Sequence, residues 1–381
     1  MSRRYYSIAF YISLVFMCGC VEPYYPEEIS SAPNVLVVDG YINTTDHSAT
    51  VFLSHSSALN ATGQPEAESG ATVKIEKDDA TQYTIPETTP GTYQLTDLDV
   101  DLAAKYRLLI TTNAGKSYTS DLIELTPTPP IDSVSWKAEE NGIRLFVNTH
   151  DPAGIAKYFM WKYEETWEHT ASMVSNYKLI DGEVFRRAPD DLIYRCWTTQ
   201  KSTQIMVGST ERLSSEIISD FPLTFVIGGT IRLSHRYSLL VHQQSLTKEA
   251  YEFWSQLQKL SEGLGGLFDS QPYQLLGNVH GSVNNEIVLG YFSGGAVTEK
   301  RIFVSYQELP AHLLRMRGRA ICDEDDVKAI YNADLPAAPN SQLLLEPISP
   351  PGMPIIGYTW ADSYCLDCRL QGGVLARPDF W

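Results

Sequence analysis

The chain is short of positive charge. Across 381 residues, 29 Lys and Arg stand against 46 Asp and Glu, a formal charge of −17. That balance excludes the basic stripes by which proteins displace counterions from nucleic acid, and it disfavours electrostatic docking on anionic lipid. The apolar run at residues 8–17 falls well short of the roughly 20 residues a spanning helix needs. Catalytic signatures are missing too: there is no G-x-S-x-G elbow and no H-E-x-x-H pair of zinc-binding imidazoles. Ala114-Gly115-Lys116-Ser117 has the end of a phosphate loop, but Ile110 stands where its leading glycine belongs. The eight histidines, among them His47, His150, His242 and His280, lack metal-ligand spacing. No repeat of 20–50 residues appears, which excludes propellers and solenoids. The sequence asks for no metal and no cofactor.

What is present begins with a leader. Arg3 and Arg4 precede the apolar run, which ends in Met17-Cys18-Gly19-Cys20, the pattern of a lipobox with an atypical Cys18. Residues 1–19 read as a signal peptide and Cys20 as the lipidated first residue of the mature chain. Loss of Arg3 and Arg4 takes the charge from −17 to −19. Each buried methylene of an acyl chain contributes about 0.8 kcal/mol, so two or three chains hold a protein on a bilayer stably. Residues 20–33, Pro-rich, acidic and aperiodic, read as an extended tether. Glu22, Glu27 and Glu28 resemble only loosely an acidic surface-export signal, which leaves the membrane leaflet open.

The body reads as mainly β, in two parts. Residues 34–126 alternate on a two-residue period between turn signals, with strands expected near 35–38, 50–53, 72–75, 92–95, 106–110 and 117–119. This spacing predicts an immunoglobulin-like β-sandwich. Thr126-Pro127-Thr128-Pro129-Pro130 breaks the ladder and marks a boundary. Residues 131–381 predict a larger mixed β domain with helical insertions. Leu246, Ala250, Phe253, Trp254, Leu257 and Leu260 share one helical face, which predicts a helix over 247–262. Thr247 is its cap, Leu246 and Tyr251 form a hydrophobic staple, and Gly263, Gly265 and Gly266 stop it. A shorter helix is expected from Asp323 through Val327 and Ile330.

Three groups of residues carry candidate chemistry. Glu164 and Glu165 lie among Trp161, Tyr163 and Trp167, an acid–aromatic cluster that suits sugar binding or, at the extreme, glycoside hydrolysis by paired carboxylates. The plainer reading packs the aromatics in the core and leaves the acids in water. Asp323, Glu324, Asp325 and Asp326 lack the glycine and spacing of a calcium loop and read as a solvated cap. Cys196, Cys322, Cys365 and Cys368 remain after Cys18 and Cys20 are set aside, an even number on an oxidising route. Disulfides are favoured over a zinc site or a redox pair. The expectation is a local Cys365–Cys368 bond, with Cys196 and Cys322 as the other pair.

Tyr364-Cys365-Leu366-Asp367-Cys368-Arg369 and the terminal Arg377-Pro378-Asp379-Phe380-Trp381 resemble the end of a Bacteroidetes outer-membrane lipoprotein family, domain of unknown function 4249. Similar stretches are Val37–Ile42, Arg195-Cys196-Trp197, the segment 245–251, Gly266–Pro272, Gly277-Asn278-Val279 and residues 288–292. The resemblance carries no catalytic residues. It implies a non-enzymatic lipoprotein that serves as an accessory to a TonB-dependent outer-membrane receptor. The alternative is a stand-alone surface protein binding carbohydrate or peptide. Exposed aromatics at Trp161, Tyr163 and Trp167 would be the docking surface.

Overall fold

The computed structural model describes residues 34–57, 65–212, 217–262, 277–282, 286–314, 322–335 and 342–381. The signal peptide, Cys20, the tether, the glycines expected to stop the helix and the stretch 266–272 lie outside the described residues. The fold is mainly β.

The first sandwich packs two five-stranded sheets. One runs in the order β19 (Val288–Gly295), β1 (Leu36–Asn43), β2 (Ser48–His55), β6 (Thr92–Leu95), β5 (Glu87–Thr89). The other runs β18 (Val279–Gly281), β8 (Ser117–Ser120), β7 (Tyr106–Thr111), β3 (Thr72–Lys77), β4 (Gln82–Ile85). Alternation sends Leu36, Val38 and Ile42 inward against Val73, Ile75, Leu108 and Ile110, with Tyr93, Tyr106 and Phe292 filling the middle. Every strand expected before residue 126 is present. Residues 34–126 do not close the sandwich, however. β18 and β19 return to it from far along the chain, and β19 pairs with β1 in parallel over eight residues, from Leu36 opposite Val288 to Asn43 opposite Gly295. A parallel neighbour needs a long crossover, and here the crossover contains most of the second sandwich.

The return is held by close backbone approach. A Cβ on Gly290 would lie 1.8 Å from the Val38 carbonyl oxygen, and one on Gly277 would lie 1.6 Å from the Gly290 carbonyl oxygen. Asn278 finishes the clamp. Its side chain donates to the Phe292 carbonyl at 2.7 Å and accepts from the Phe292 N–H at 2.8 Å. Asn278→Ala leaves both buried groups unpaired, and a loss of about 2 kcal/mol or more in unfolding free energy is expected in a urea titration. An unchanged midpoint would show that the clamp is dispensable.

The proline-rich stretch 126–130 follows the last strand that residues 34–126 give to the first sandwich. Its groups are tied into both halves: the Thr126 N–H donates to the Gly294 carbonyl of the first sandwich at 3.1 Å, while Thr126 Oγ1 donates to the Ser245 carbonyl of the second at 2.9 Å and the Pro129 carbonyl accepts from Gln243 there at 2.9 Å. The second sandwich sets β9 (Ile131–Glu139), β10 (Gly142–His150) and β16 (Ile217–Ile227) against β14 (Arg195–Lys201), β11 (Tyr158–Thr170), β17 (Arg236–Leu246) and β20 (Val297–Ser305), with β15 (Met206–Ser209) beside β11. Only Ala296 separates β19 from β20, so one ribbon serves both sandwiches. Helix α1 (Lys248–Glu262) follows β17. Thr247 Oγ1 accepts from the Ala250 N–H at 3.2 Å, and Leu246 and Tyr251 meet in one apolar cluster with Phe253, as the cap and staple require.

A small third sheet is built from β13 (Glu183–Arg186), β12 (Tyr177–Ile180), β22 (Gln342–Ile348), β23 (Gly357–Asp362) and β21 (Lys328–Tyr331). The second helix expected from the sequence is absent. Asp323 caps a single turn, Glu324–Asp326, through a reciprocal capping box, and the chain then runs on as β21. Ala329, Ile330 and Tyr331 continue it, and the ladder with β23 outweighs the helical spacing of Val327 and Ile330.

The cysteines pair otherwise than expected: Cys196 bonds Cys368 and Cys322 bonds Cys365. The reason lies at Asp367. Asp362 caps a short helical turn, Ser363–Leu366, which packs Cys365 with Cys322 and Ala361. Asp367 is extended (φ −118°, ψ 105°) and starts a separate turn at Cys368, which packs with Cys196 and Ala171. The break turns the two cysteines of the C-x-x-C toward different partners.

Beyond Cys368 the tail lies across the second sandwich. Trp197 and Val374 exchange backbone hydrogen bonds at 2.9 Å each way, and Trp381 Nε1 donates to Glu168 at 3.2 Å. Arg236 lies over the Phe303 ring at 4.0 Å and over the Trp381 ring at 5.3 Å, and Arg301 lies over Phe380 at 3.5 Å. Beneath this tail His169 is fully buried, with Nε2 bonded to Thr198 Oγ1 at 3.0 Å. Burial, and secondly the nearby His235, hold the His169 imidazole below its ordinary value of 6.5. The unfolded chain takes up a proton that the folded protein refuses, so stability present above pH 6.5 is lost as the pH falls below it. The thermal midpoint should therefore drop between pH 7.5 and 5.5, and the drop should shrink in His169→Asn.

Candidate functional site

β11 positions the acid–aromatic cluster, and the pleat decides its fate. Successive side chains point to opposite faces of a strand. Trp161, Tyr163 and Trp167 therefore enter the core of the second sandwich, where Trp161 is 0% exposed and the other two 7% each. They form no docking surface, which corrects the expectation that they are exposed. Trp161 Nε1 donates to Gln243 Oε1 at 2.8 Å, satisfying its one polar group.

Glu164 and Glu165 diverge for the same reason. Glu164 faces out, 3.4 Å from Lys201 and 3.9 Å from His242. Glu165 faces in and is 4% exposed. It accepts from the Tyr237 hydroxyl at 2.7 Å and pairs with Arg232 at 3.2 Å. Arg232 in turn lies over the Trp167 ring at 4.9 Å. Burial and the adjacent Glu165 carboxylate push the Tyr237 phenol well above its usual range. Two carboxylates on opposite faces, each already paired, do not flank one substrate bond, so this cluster is not a hydrolytic pair. In the acidic run the Asp323 and Asp326 carboxylates are spent on capping the turn Glu324–Asp326.

The cleft that the structure does form was not visible in the sequence. It opens between α1 and the edge of the first sandwich, with a volume of about 560 Å³. Three separate segments build it: residues 105–126, 245–256 and 277–294. Its floor is aromatic, with the Phe253 and Tyr291 rings 5.2 Å apart and both residues buried. Burial raises the Tyr291 phenol, against a hydrogen bond from Thr247. Its rim is acidic. Asp121 meets His280 at 3.0 Å and Glu124 meets Lys105 at 2.8 Å, while Glu249 and Glu252 have no ion-pair partner among the described residues. A concave, aromatic-floored site at the joint of two domains is where ligands bind most often. The signal that was available is indirect: three stretches that carry the family resemblance (245–251, 277–279 and 288–292) converge on this cleft.

The family model described as Domain of unknown function (DUF4249) matches residues 21–301. The chain belongs to the DUF4249 family. The DUF4249 match takes in the first sandwich, nearly all strands of the second and every residue lining the cleft; the third sheet's β21, β22 and β23 and the C-terminal tail lie beyond it. No curated protein matches the chain. Among the described residues no helix is long and apolar enough to cross a membrane, and no three His, Cys, Asp or Glu side chains are gathered to hold a metal ion.

Proposed function

We propose that this DUF4249 protein is a non-enzymatic outer-membrane lipoprotein of the Bacteroidetes type, acylated at Cys20, that works as an accessory component of a TonB-dependent receptor uptake system. The cleft at the joint of the two sandwiches carries the reading: it offers a solute a built site beside a body that the leader and tether tie to a membrane. A tether of about a dozen residues reaches at most roughly 3.3–3.6 Å per residue, which keeps the body near any barrel in the same bilayer. Shared anchoring raises the effective concentration of the two partners, so a weak interface suffices.

Cys20→Ala should abolish labelling with a fatty-acid analogue and release the protein to the soluble fraction; retained labelling would place the lipid elsewhere. Crosslinking and co-purification from detergent-solubilised outer membranes test the receptor. A lipoprotein that runs alone, and whose deletion leaves uptake through neighbouring receptors intact, would favour the second reading, a stand-alone carbohydrate- or peptide-binding protein. The aromatic floor and free carboxylates of the cleft support that alternative as well.

A further inference from the structure

We propose that the cleft between α1 and the first sandwich takes a small organic cation, an ammonium or guanidinium group carried on an apolar body. This deepens the reading of the protein as a solute-binding component and rests on it.

The charges argue first. Four carboxylates line the cleft, at Asp121, Glu124, Glu249 and Glu252, against the single lysine Lys105. Lys105 is engaged by Glu124, and Asp121 is met by His280, so the negative excess is concentrated on the helix side. A negative first turn complements the helix dipole, which accounts for Glu249. Glu252, a turn further on and exposed, gains nothing from that effect, yet it too lines the cleft. Clefts lined by one sign of charge concentrate ligands of the other.

The wall and floor argue separately. Ser245 lines the inner wall, is 3% exposed, and its Oγ has no hydrogen-bond partner among the described residues. Both of its backbone groups are taken, the N–H by Thr128 and the carbonyl by Thr126. A buried hydroxyl left over in this way is an acceptor for an N–H donor. Phe253 and Tyr291 supply aromatic surface that attracts cations and apolar groups alike. A bare metal ion fits poorly, because the carboxylates are not gathered into a ligand set. An anion would meet the carboxylates, and the one cation among the described lining residues, Lys105, is already held by Glu124.

The test is calorimetry on the detergent-solubilised full-length lipoprotein, with phenethylammonium and agmatine as probes and 3-phenylpropionate as the anionic match. The cations should bind, the anion should not, and affinity should fall as salt rises. The double variant Glu249→Gln, Glu252→Gln should weaken cation binding at least tenfold while lowering its thermal midpoint only slightly, by the loss of the first-turn charge of Glu249, since both side chains are exposed. Glu252→Lys should abolish it. The inference is overturned if neither cation binds, if 3-phenylpropionate binds equally well, or if the double variant binds as the wild type does. Co-purification with a receptor does not depend on these two carboxylates, so failure of the receptor reading and failure of the cation site are told apart.

Discussion

Trp161→Ala should destabilise the protein by about 3–5 kcal/mol, the cost of emptying a large aromatic site in a packed core. The ring is wholly buried, 4.3 Å from Phe221 and 5.8 Å from Phe159 between centroids, and a Cβ on Gly208 would lie 2.9 Å from it. The cavity is only part of the loss. Gln243 accepts from Trp161 and also donates to the Pro129 carbonyl at 2.9 Å and to Thr149 Oγ1 at 3.0 Å. Removing the indole leaves Gln243 Oε1 unpaired inside the joint between the sandwiches. Trp161→Phe should fall between the two, keeping most of the volume and losing the hydrogen bond. Equilibrium unfolding in guanidinium reads both variants. A Trp161→Ala protein with the wild-type midpoint that fails only in partner capture would restore the surface reading of this residue.

Loss of the Cys196–Cys368 bond should be the second large effect. The bond closes a loop with a sequence separation of 172, against 43 for Cys322–Cys365. In the chain-entropy account these loops correspond to about 5 and about 4 kcal/mol respectively. The smaller loop lies inside the larger, so closing it shortens the outer one and trims that difference a little. The outer bond also pins the tail that covers His169 and brings Trp381 to Arg236. Replacing Cys196 and Cys368 together by alanine should therefore lower the thermal midpoint more than the matching Cys322, Cys365 change, and should expose the tail to carboxypeptidase. Non-reduced peptide mapping gives the pairing itself: a Cys365–Cys368 peptide would refute it.

Local pattern was legible and long-range pairing was not. The two-residue period marked β1, β2, β3, β6, β7 and β8, because each has one face on a core. Thr247, with Leu246 and Tyr251, marked the start of α1, because capping is a matter of neighbouring residues. β11 was harder. Trp161, Tyr163, Glu165 and Trp167 share one face, but nothing in the period says whether that face meets solvent or a second sheet; the closing strands β10 and β16 decide it. The cysteines failed because a C-x-x-C spacing suggests a ring, while the extended Asp367 that prevents one is set by tertiary packing. The cleft failed for the same kind of reason. Its three segments are far apart in the chain, and the return of β18 onto β8 and of β19 onto β1, with the bond from Thr126 to Ser245, brings them together.

That return has a mechanical consequence. The chain enters β1 at its N-terminal end, whereas β19 leaves for the second sandwich at its C-terminal end, through Ala296. Tension applied between the start of β1 and the second sandwich thus pulls the paired strands along their length in opposite directions. All eight register pairs resist at once, as rivets do in a lap joint, and none is peeled ahead of the rest. Forced rupture is governed by the unfolding rate and not by equilibrium stability. The first sandwich should therefore withstand a pull applied through its N-terminus far better than one that peels β19 from its edge, and a single-molecule pulling experiment with the two attachment geometries would measure the ratio.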